Sequence, residues 1–297
     1  MGRGRGLGSV LRAMRGARTE LVAIVVAAQC CDLEFGPTDA GDEPTVAELR
    51  ESLQALTGDD TALARALRRP LTIDRLGTHS LGNLILHALA SAFGDLAAAS
   101  AWLGSQLQIH GAVLPATVEP LRYTLEPLGC RIEPGPPTVG AQPPGPIVRR
   151  WSLASGRTRL VGDRPAVPAE VVEAIARASV VLLAPGPLLG GNLVAALIPE
   201  LIEALEATTA RVVWISNLTP ARDEAGRDQL AALRRERVRV DAVLHDPAAS
   251  LRFETGELRR AGIESIARPL AGARRGVHDQ VLLRIALSEL MSAWHLA

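Results

Sequence analysis

The spacing of hydrophobic positions changes several times along the chain. Leu7, Val10, Leu11 and Met14 recur three and four residues apart, which predicts a helix over 7–15. The next run, residues 19–28 (TELVAIVVAA), is apolar and β-branched without alternation, as in a parallel strand buried on both faces. Residues 45–56 (TVAELRESLQAL) return to helical spacing, with Thr45 as the expected N-cap. Ser80 is placed to cap another helix, which carries Leu81, Leu84, Ile85, Ala88 and Leu89 and is stopped by Gly94. Short apolar strands are predicted at 179–184 (SVVLLA) and 211–216 (RVVWIS), each followed by a turn rich in Gly, Pro or Asn and then a helix. A further strand falls near 240–244, and the last segment, 277–294, is an amphipathic helix. Strands alternating with helices predict an α/β fold, a three-layer sandwich around a largely parallel sheet. Ligands of such sheets sit at the carboxyl ends of the strands. A single domain over 1–297 is expected, with a Pro- and Gly-rich surface excursion at 131–150.

Composition narrows the function. Lys+Arg and Asp+Glu are each 32, so there is no net charge to form a nucleic-acid footprint. Aromatic residues are 3%, too few for base-stacking platforms. Every basic residue is an arginine, which reads as coding bias rather than chemistry. Three cysteines, Cys30, Cys31 and Cys130, form no disulfide framework and point to a reducing, cytoplasmic setting. No stretch reaches the ~20 apolar residues of a membrane span. The arginine-rich start, the run LVAIVVAA (21–28) and Cys30 do have the outline of a secretion signal. Gln29, where a small residue is wanted, and Glu20, directly ahead of the run, favour the buried strand instead.

Three glycine-bearing junctions are expected at the carboxyl ends of strands, each ahead of a helix. The first is Gly2-Arg3-Gly4-Arg5-Gly6, whose backbone N–H groups and following helix suit an anion. The second is Ser80-Leu81-Gly82-Asn83, which also reads as a plain N-cap beside His79. The third is Pro185-Gly186-Pro187 with Gly190-Gly191-Asn192. Two strand–glycine–helix junctions in one sheet suit a phosphate or diphosphate. Gly2, Gly4, Gly6, Ser80, Gly82, Asn83, Gly186, Gly190 and Asn217 are therefore the candidate ligand-binding residues, expected to converge at one edge. Arg3 and Arg5 are candidate charge partners, and the bland alternative is that the glycines only make tight turns. Adjacent Cys30 and Cys31 would point to opposite faces of a strand and make a poor chelate, so ordinary buried thiols are expected. His278-Asp279 reads as a helix start rather than an acid–base pair.

The order of these segments resembles the YvcK/CofD family. GRGRGLGSVLRAM is similar to its GGGTGL-(S)-xLLRGL, and HSLGNLILHAL (79–89) to its HNLGNLLLAAL. GAVLPAT (111–117) resembles GRVLPST, and residues 178–202 resemble AD-IVLGPGSLYTSIIPNLL. VWISNLTPARDE (213–224) and VHDQVLLRIALSELM (277–291) are similar to the two remaining family segments, YVxNLMTQPGE and RHDxxxLAxALxxLL. The resemblance implies a Rossmann-like fold and a nucleotide-type ligand. Its YvcK-like branch, to which HSLGN and VLPAT are closer, implies a non-catalytic regulator of carbon metabolism and cell envelope that binds a UDP-sugar such as UDP-N-acetylglucosamine. Its CofD-like branch implies a magnesium-dependent phosphoenolpyruvyl or phospholactyl transfer to a deazaflavin. A degenerate scaffold without nucleotide is the third alternative. A homodimer is expected, with neither nucleic acid nor membrane as partner, and no catalytic residue or resident metal is assigned.

Departures from the pattern favour the regulator. Aligned on Gly36, the family's ADDGGSSG is replaced by QCCDLEFG, so two aspartates become Cys30 and Cys31. Magnesium prefers hard oxygen ligands, and thiols replace them poorly. Asp32 and Glu34 would take over only in a slipped register. The PPGD-x-R segment is not recognisable between Asp42 and Arg50, and Pro187, Leu189 and Gly190 stand where the family has hydroxyl side chains. The family also carries a strand ahead of its glycine loop, whereas this sequence starts inside the loop motif. An upstream start is the expectation, because omitting a central strand exposes ladder groups on both neighbours.

Overall fold

The computed structural model describes residues 1–17, 19–30, 44–58, 61–73, 77–119, 121–127, 156–189, 191–220, 224–274 and 276–294. The excursion expected at 131–150, Cys31, Asp32, Glu34, Cys130 and Gly190 lie outside these residues.

The first half of the chain runs α1 (Gly4–Met14), β1 (Val22–Val25), β2 (Ala28–Cys30), α2 (Pro44–Leu56), α3 (Ala62–Leu67), β3 (Pro70–Ile73), β4 (Gly77–Ser80), α4 (Leu81–Phe93), α5 (Leu96–Gln106), β5 (Ala112–Pro115) and β6 (Leu121–Pro127). The second half runs β7 (Gly156–Leu160), α6 (Ala169–Arg177), β8 (Val180–Leu183), α7 (Asn192–Ala195), α8 (Pro199–Ala207), β9 (Arg211–Ile215), α9 (Gly226–Arg235), β10 (Ala242–His245), α10 (Thr255–Arg260), β11 (Glu264–Ala267) and α11 (Gln280–Ala293).

Four strands form a parallel sheet in the order β11-β10-β9-β8, and β1 pairs in parallel with β5. Met1 and Gly2 join these two pieces. Gly2 N donates to Ile24 O (3.1 Å) and Gly2 O accepts from Val26 N (2.9 Å), while Met1 O accepts from Ala184 N (2.9 Å). The Met1 amino group donates to Leu182 O (2.7 Å). The main sheet is therefore β5-β1-(Met1-Gly2)-β8-β9-β10-β11, with a two-residue bridge where a full strand would fit.

Helices cover both faces. On one face Leu7, Leu11, Leu49, Leu53, Leu86, Leu103 and Leu287 of α1, α2, α4, α5 and α11 pack in one core. On the other, Ile175, Leu193, Leu201, Leu205, Leu233 and Leu258 of α6 to α10 pack with Trp214 of β9 in a second core. This three-layer α/β arrangement, with a sheet of parallel strands, is the predicted architecture.

Three expectations need correction. The single strand over 19–28 is two, because the chain changes partners: β1 pairs with β5, whereas β2 pairs with β6 in a separate sheet, β2-β6-β7. Thr45 is not the N-cap of α2. It is a buried residue inside a helix that begins at Pro44, whose ring presets the helical φ and whose missing N–H costs nothing in a first turn. The Ser80 junction follows an antiparallel hairpin, β3–β4, rather than a strand of the main sheet.

Candidate functional site at the carboxyl edge of the sheet

The bridge at Met1-Gly2 delivers the chain to the carboxyl edge of the sheet, where α1 starts. Gly4, at φ +59°, turns the chain into the helix in a conformation that side-chain-bearing residues rarely adopt. Two residues on, the backbone of α1 rests directly on the loop after β8. A Cβ on Gly6 would lie 1.7 Å from Pro185 O.

That loop is fastened at both ends by asparagines. Asn192 Nδ2 donates to Ala184 O (3.2 Å), and Asn217 Nδ2, just past β9, donates to Gly186 O (2.7 Å). The space beside Gly186 itself is open. Gly2, Gly4, Gly6, Gly186 and Asn217 are thus gathered at the ends of adjacent parallel lanes of the sheet.

Two residues of α2 connect this corner to the start of α4. Gly4 N donates to Glu48 Oε2, and Glu48 Oε1 lies 3.5 Å from Arg3 Nε. Arg3 also donates through NH1 to Ala28 O (3.1 Å). Burial pushes the Glu48 carboxyl above its usual range, opposed by the Gly4 N–H and by Arg3. Two residues further along α2, Arg50 Nε donates to Asn83 Oδ1 (2.7 Å). Gly82 lets the Arg50 stem pass, since a Cβ there would be 2.7 Å from Arg50 Cδ. Ser80 Oγ accepts from Asn83 N (3.1 Å), which is the N-cap expected of it. Asn83 is 2% exposed and serves α2–α4 packing through Arg50.

Glu48 and Arg50 are the site residues that the sequence reading passed over. Glu48-Leu49-Arg50 keeps the acid-x-arginine spacing of PPGD-x-R, with glutamate for aspartate and no preceding glycine. The spacing was the available signal. Arg3, assigned as a charge partner for a ligand, spends its guanidinium on Glu48 and Ala28 O in this structure.

At the far end of the same edge, the polar residues hold loops. Asp246 accepts from Leu270 N, Ala271 N and Ala248 N, each at 2.8 Å. Burial raises its carboxyl, but these three N–H bonds outweigh it and hold the group below its usual range. His278 Nε2 lies 3.0 Å from Ser216 O, and burial keeps His278 and His245 below the usual histidine pKa. Asp279 caps α11 by accepting from Val281 N (2.9 Å) and Leu282 N (3.1 Å) through Oδ1. The His278-Asp279 pair therefore starts a helix, as predicted.

A family profile described as "2-phospho-L-lactate transferase CofD" matches residues 1–255. The chain belongs to the CofD family. Among curated proteins, a putative gluconeogenesis factor of Deinococcus radiodurans is 28% identical over 219 residues, covering 73% of this chain and 45% of that protein. Another from Thermotoga maritima is 32% identical over 177 residues, 59% of this chain and 52% of its own length. The gluconeogenesis factor of Halalkalibacterium halodurans is 28% identical over 218 residues, 73% of this chain and 65% of that one. This CofD-family chain thus spans about half the length of several curated relatives that it matches. A crystal structure of a UPF0052 family protein from Bacillus halodurans superposes with a TM-score of 0.74 at 22% identity, over 97% of this chain and 96% of that one. That likeness establishes the Rossmann-like fold. Among the described residues no helix is long and apolar enough to cross a membrane.

Proposed function

We propose that this chain binds a nucleotide sugar of the UDP-N-acetylglucosamine type at the carboxyl edge of its sheet, and that it acts by binding, as a regulator of carbon metabolism and cell envelope. The observation that carries the reading is the convergence of α1's first turn with the Pro185-Gly186 loop and Asn217. Helix-start N–H groups suit a diphosphate, and the asparagine amides suit a base or sugar amide. The names of the relatives, gluconeogenesis factors, support a role in carbon metabolism.

The family profile's own description favours a second reading, a phospholactyl-type transferase. The residues aligned with the family's two aspartates argue against it here. Cys30 and Cys31 replace the two aspartates, and thiols do not fit a magnesium site.

Calorimetric titration separates the readings. UDP-N-acetylglucosamine should bind with and without magnesium, and a hundredfold excess over Kd should add about 2.7 kcal/mol to stability. Binding of GDP alone, dependent on magnesium, would transfer the assignment to the transferase. Asn83→Ala should weaken UDP-sugar binding by about 1–3 kcal/mol, the cost of leaving a buried polar group unpaired. Unchanged affinity would remove Asn83 from the site.

A further inference from the structure

The outer face of the α4–α5 pair is built unlike those of the other surface helices. Residues 81–108 contain one charged side chain, Asp95, where the chain's average of 22% would supply about six. Asp95 is spent as the N-cap of α5, accepting from Ala97 N (3.1 Å) and Ala98 N (2.9 Å). By contrast α6 carries Glu170, Glu173 and Arg177, and α11 carries Arg284 and Glu289. Charge on the outer face is how a helix of a monomeric domain ordinarily meets water.

What α4 and α5 present instead is apolar. Ala88 and Ala92 of α4 and Ala98 and Ala101 of α5 are exposed, one turn apart on each helix. Beside them Phe93 and Trp102 touch, with ring centroids 6.4 Å apart, and are 47% and 45% exposed. Among the described residues these are the two aromatic side chains left exposed. Trp214 and Tyr123 are buried, and the Arg211 guanidinium lies over the Trp294 ring (4.3 Å). Contiguous exposed apolar surface marks a contact site, and aromatic anchors dominate the energy of such contacts.

We propose that this face is the contact between two copies of the chain across a two-fold axis, with the Phe93–Trp102 pair of each copy laid on the alanines of the other. Charge chooses a second copy over a different partner. In a two-fold contact the same patch meets itself, so charges near the axis would face their own kind, and a face without charge avoids that repulsion. Different proteins recognise each other largely through complementary charge, and this face offers none. Size agrees. The helices have 13 and 11 residues and so are ~20 and ~16 Å long, and side by side they are ~20 Å wide. Two such patches supply roughly 700 Å² in plan, and side-chain relief carries the total to the ~1,000 Å² that a specific interface must reach.

Sedimentation equilibrium on the full chain tests this. The unaltered chain should run at twice its monomer mass at ~100 µM and dissociate towards ~1 µM, the behaviour of an interface at the small end of the range. Ala88→Arg and Ala101→Arg, both at exposed helical positions, set a charge inside the uncharged contact. Each should raise the dissociation constant at least about tenfold. Their circular dichroism and Tm at the dilute end should match those of the unaltered chain, which separates a lost contact from a lost fold. Val172→Arg, on the exposed side of α6, should leave the dimer intact. A chain that stays monomeric at the concentrated end overturns the proposal and leaves the face to a different partner. A dimer that survives both α4–α5 arginines, or one that Val172→Arg dissolves equally, overturns it too.

Discussion

Glu48 sets the terms on which the first turn of α1 can hold an anion. Its carboxylate already accepts from Gly4 N and pairs with Arg3, so a ligand phosphate at this turn competes with an internal one. Charge at a helix start is worth about 0.3–1 kcal/mol. If the nucleotide sugar's diphosphate sits here, Glu48→Gln should tighten its binding by about two- to fivefold on that scale, read by titration against the unaltered chain. Weaker binding would mean that Glu48 organises the turn and does not compete for it. Gly6 is the opposite kind of residue, needed for contact with no chemistry of its own. Any Cβ would collide with Pro185 O, and overpacking of this kind costs about 1–3 kcal/mol. Gly6→Ala should lower the urea midpoint accordingly and separate α1 from the loop.

At the scale of elements, caps and periodicity were the legible part. Ser80, Gly94 and the Asp279 start of α11 sit where the sequence placed them, because an N-cap hydroxyl or carboxylate and a left-handed glycine act through their immediate neighbours. Asp279→Ala should therefore destabilise by about 1 kcal/mol through α11 alone, measurable by chemical denaturation. The errors arose where tertiary partners decide. One apolar run of uniform composition became β1 and β2 because each found a different neighbour, β5 and β6, and composition carries no information about partners. Thr45 is not the cap because the helix already begins at Pro44, which places Thr45 inside its first turn. The site was half visible. Its glycines mark turns, but Glu48 and Arg50 act across α2 on two other helices, and their spacing is meaningful only once those helix starts are known to adjoin.

For the molecule as a whole, pH dependence gathers the buried titratable groups into one measurement. The Met1 amine falls from 8.0 to about 5 on folding, and burial lowers His245 and His278 below 6.5. Asp246 lies near both histidines and raises each in part. All three groups bind protons more readily in the unfolded chain, so the unfolded state gains protons first as pH falls, and stability declines with it. The amine acts between pH 8.0 and about 5, and the histidines act below 6.5. Glu48, whose carboxyl is raised above 4.5, works the other way, since its contribution is lost as pH rises through its folded value. Three bases against one acid give a denaturation midpoint that climbs from pH 5 to pH 8. N-terminal acetylation, which leaves no amine to titrate, tells the two contributions apart. Removing the amine should flatten the curve between pH 8.0 and 6.5 and reduce, without abolishing, the slope from 6.5 to about 5, where the histidines continue to act. A chain that keeps its full slope after that change would place the linked proton on some other group.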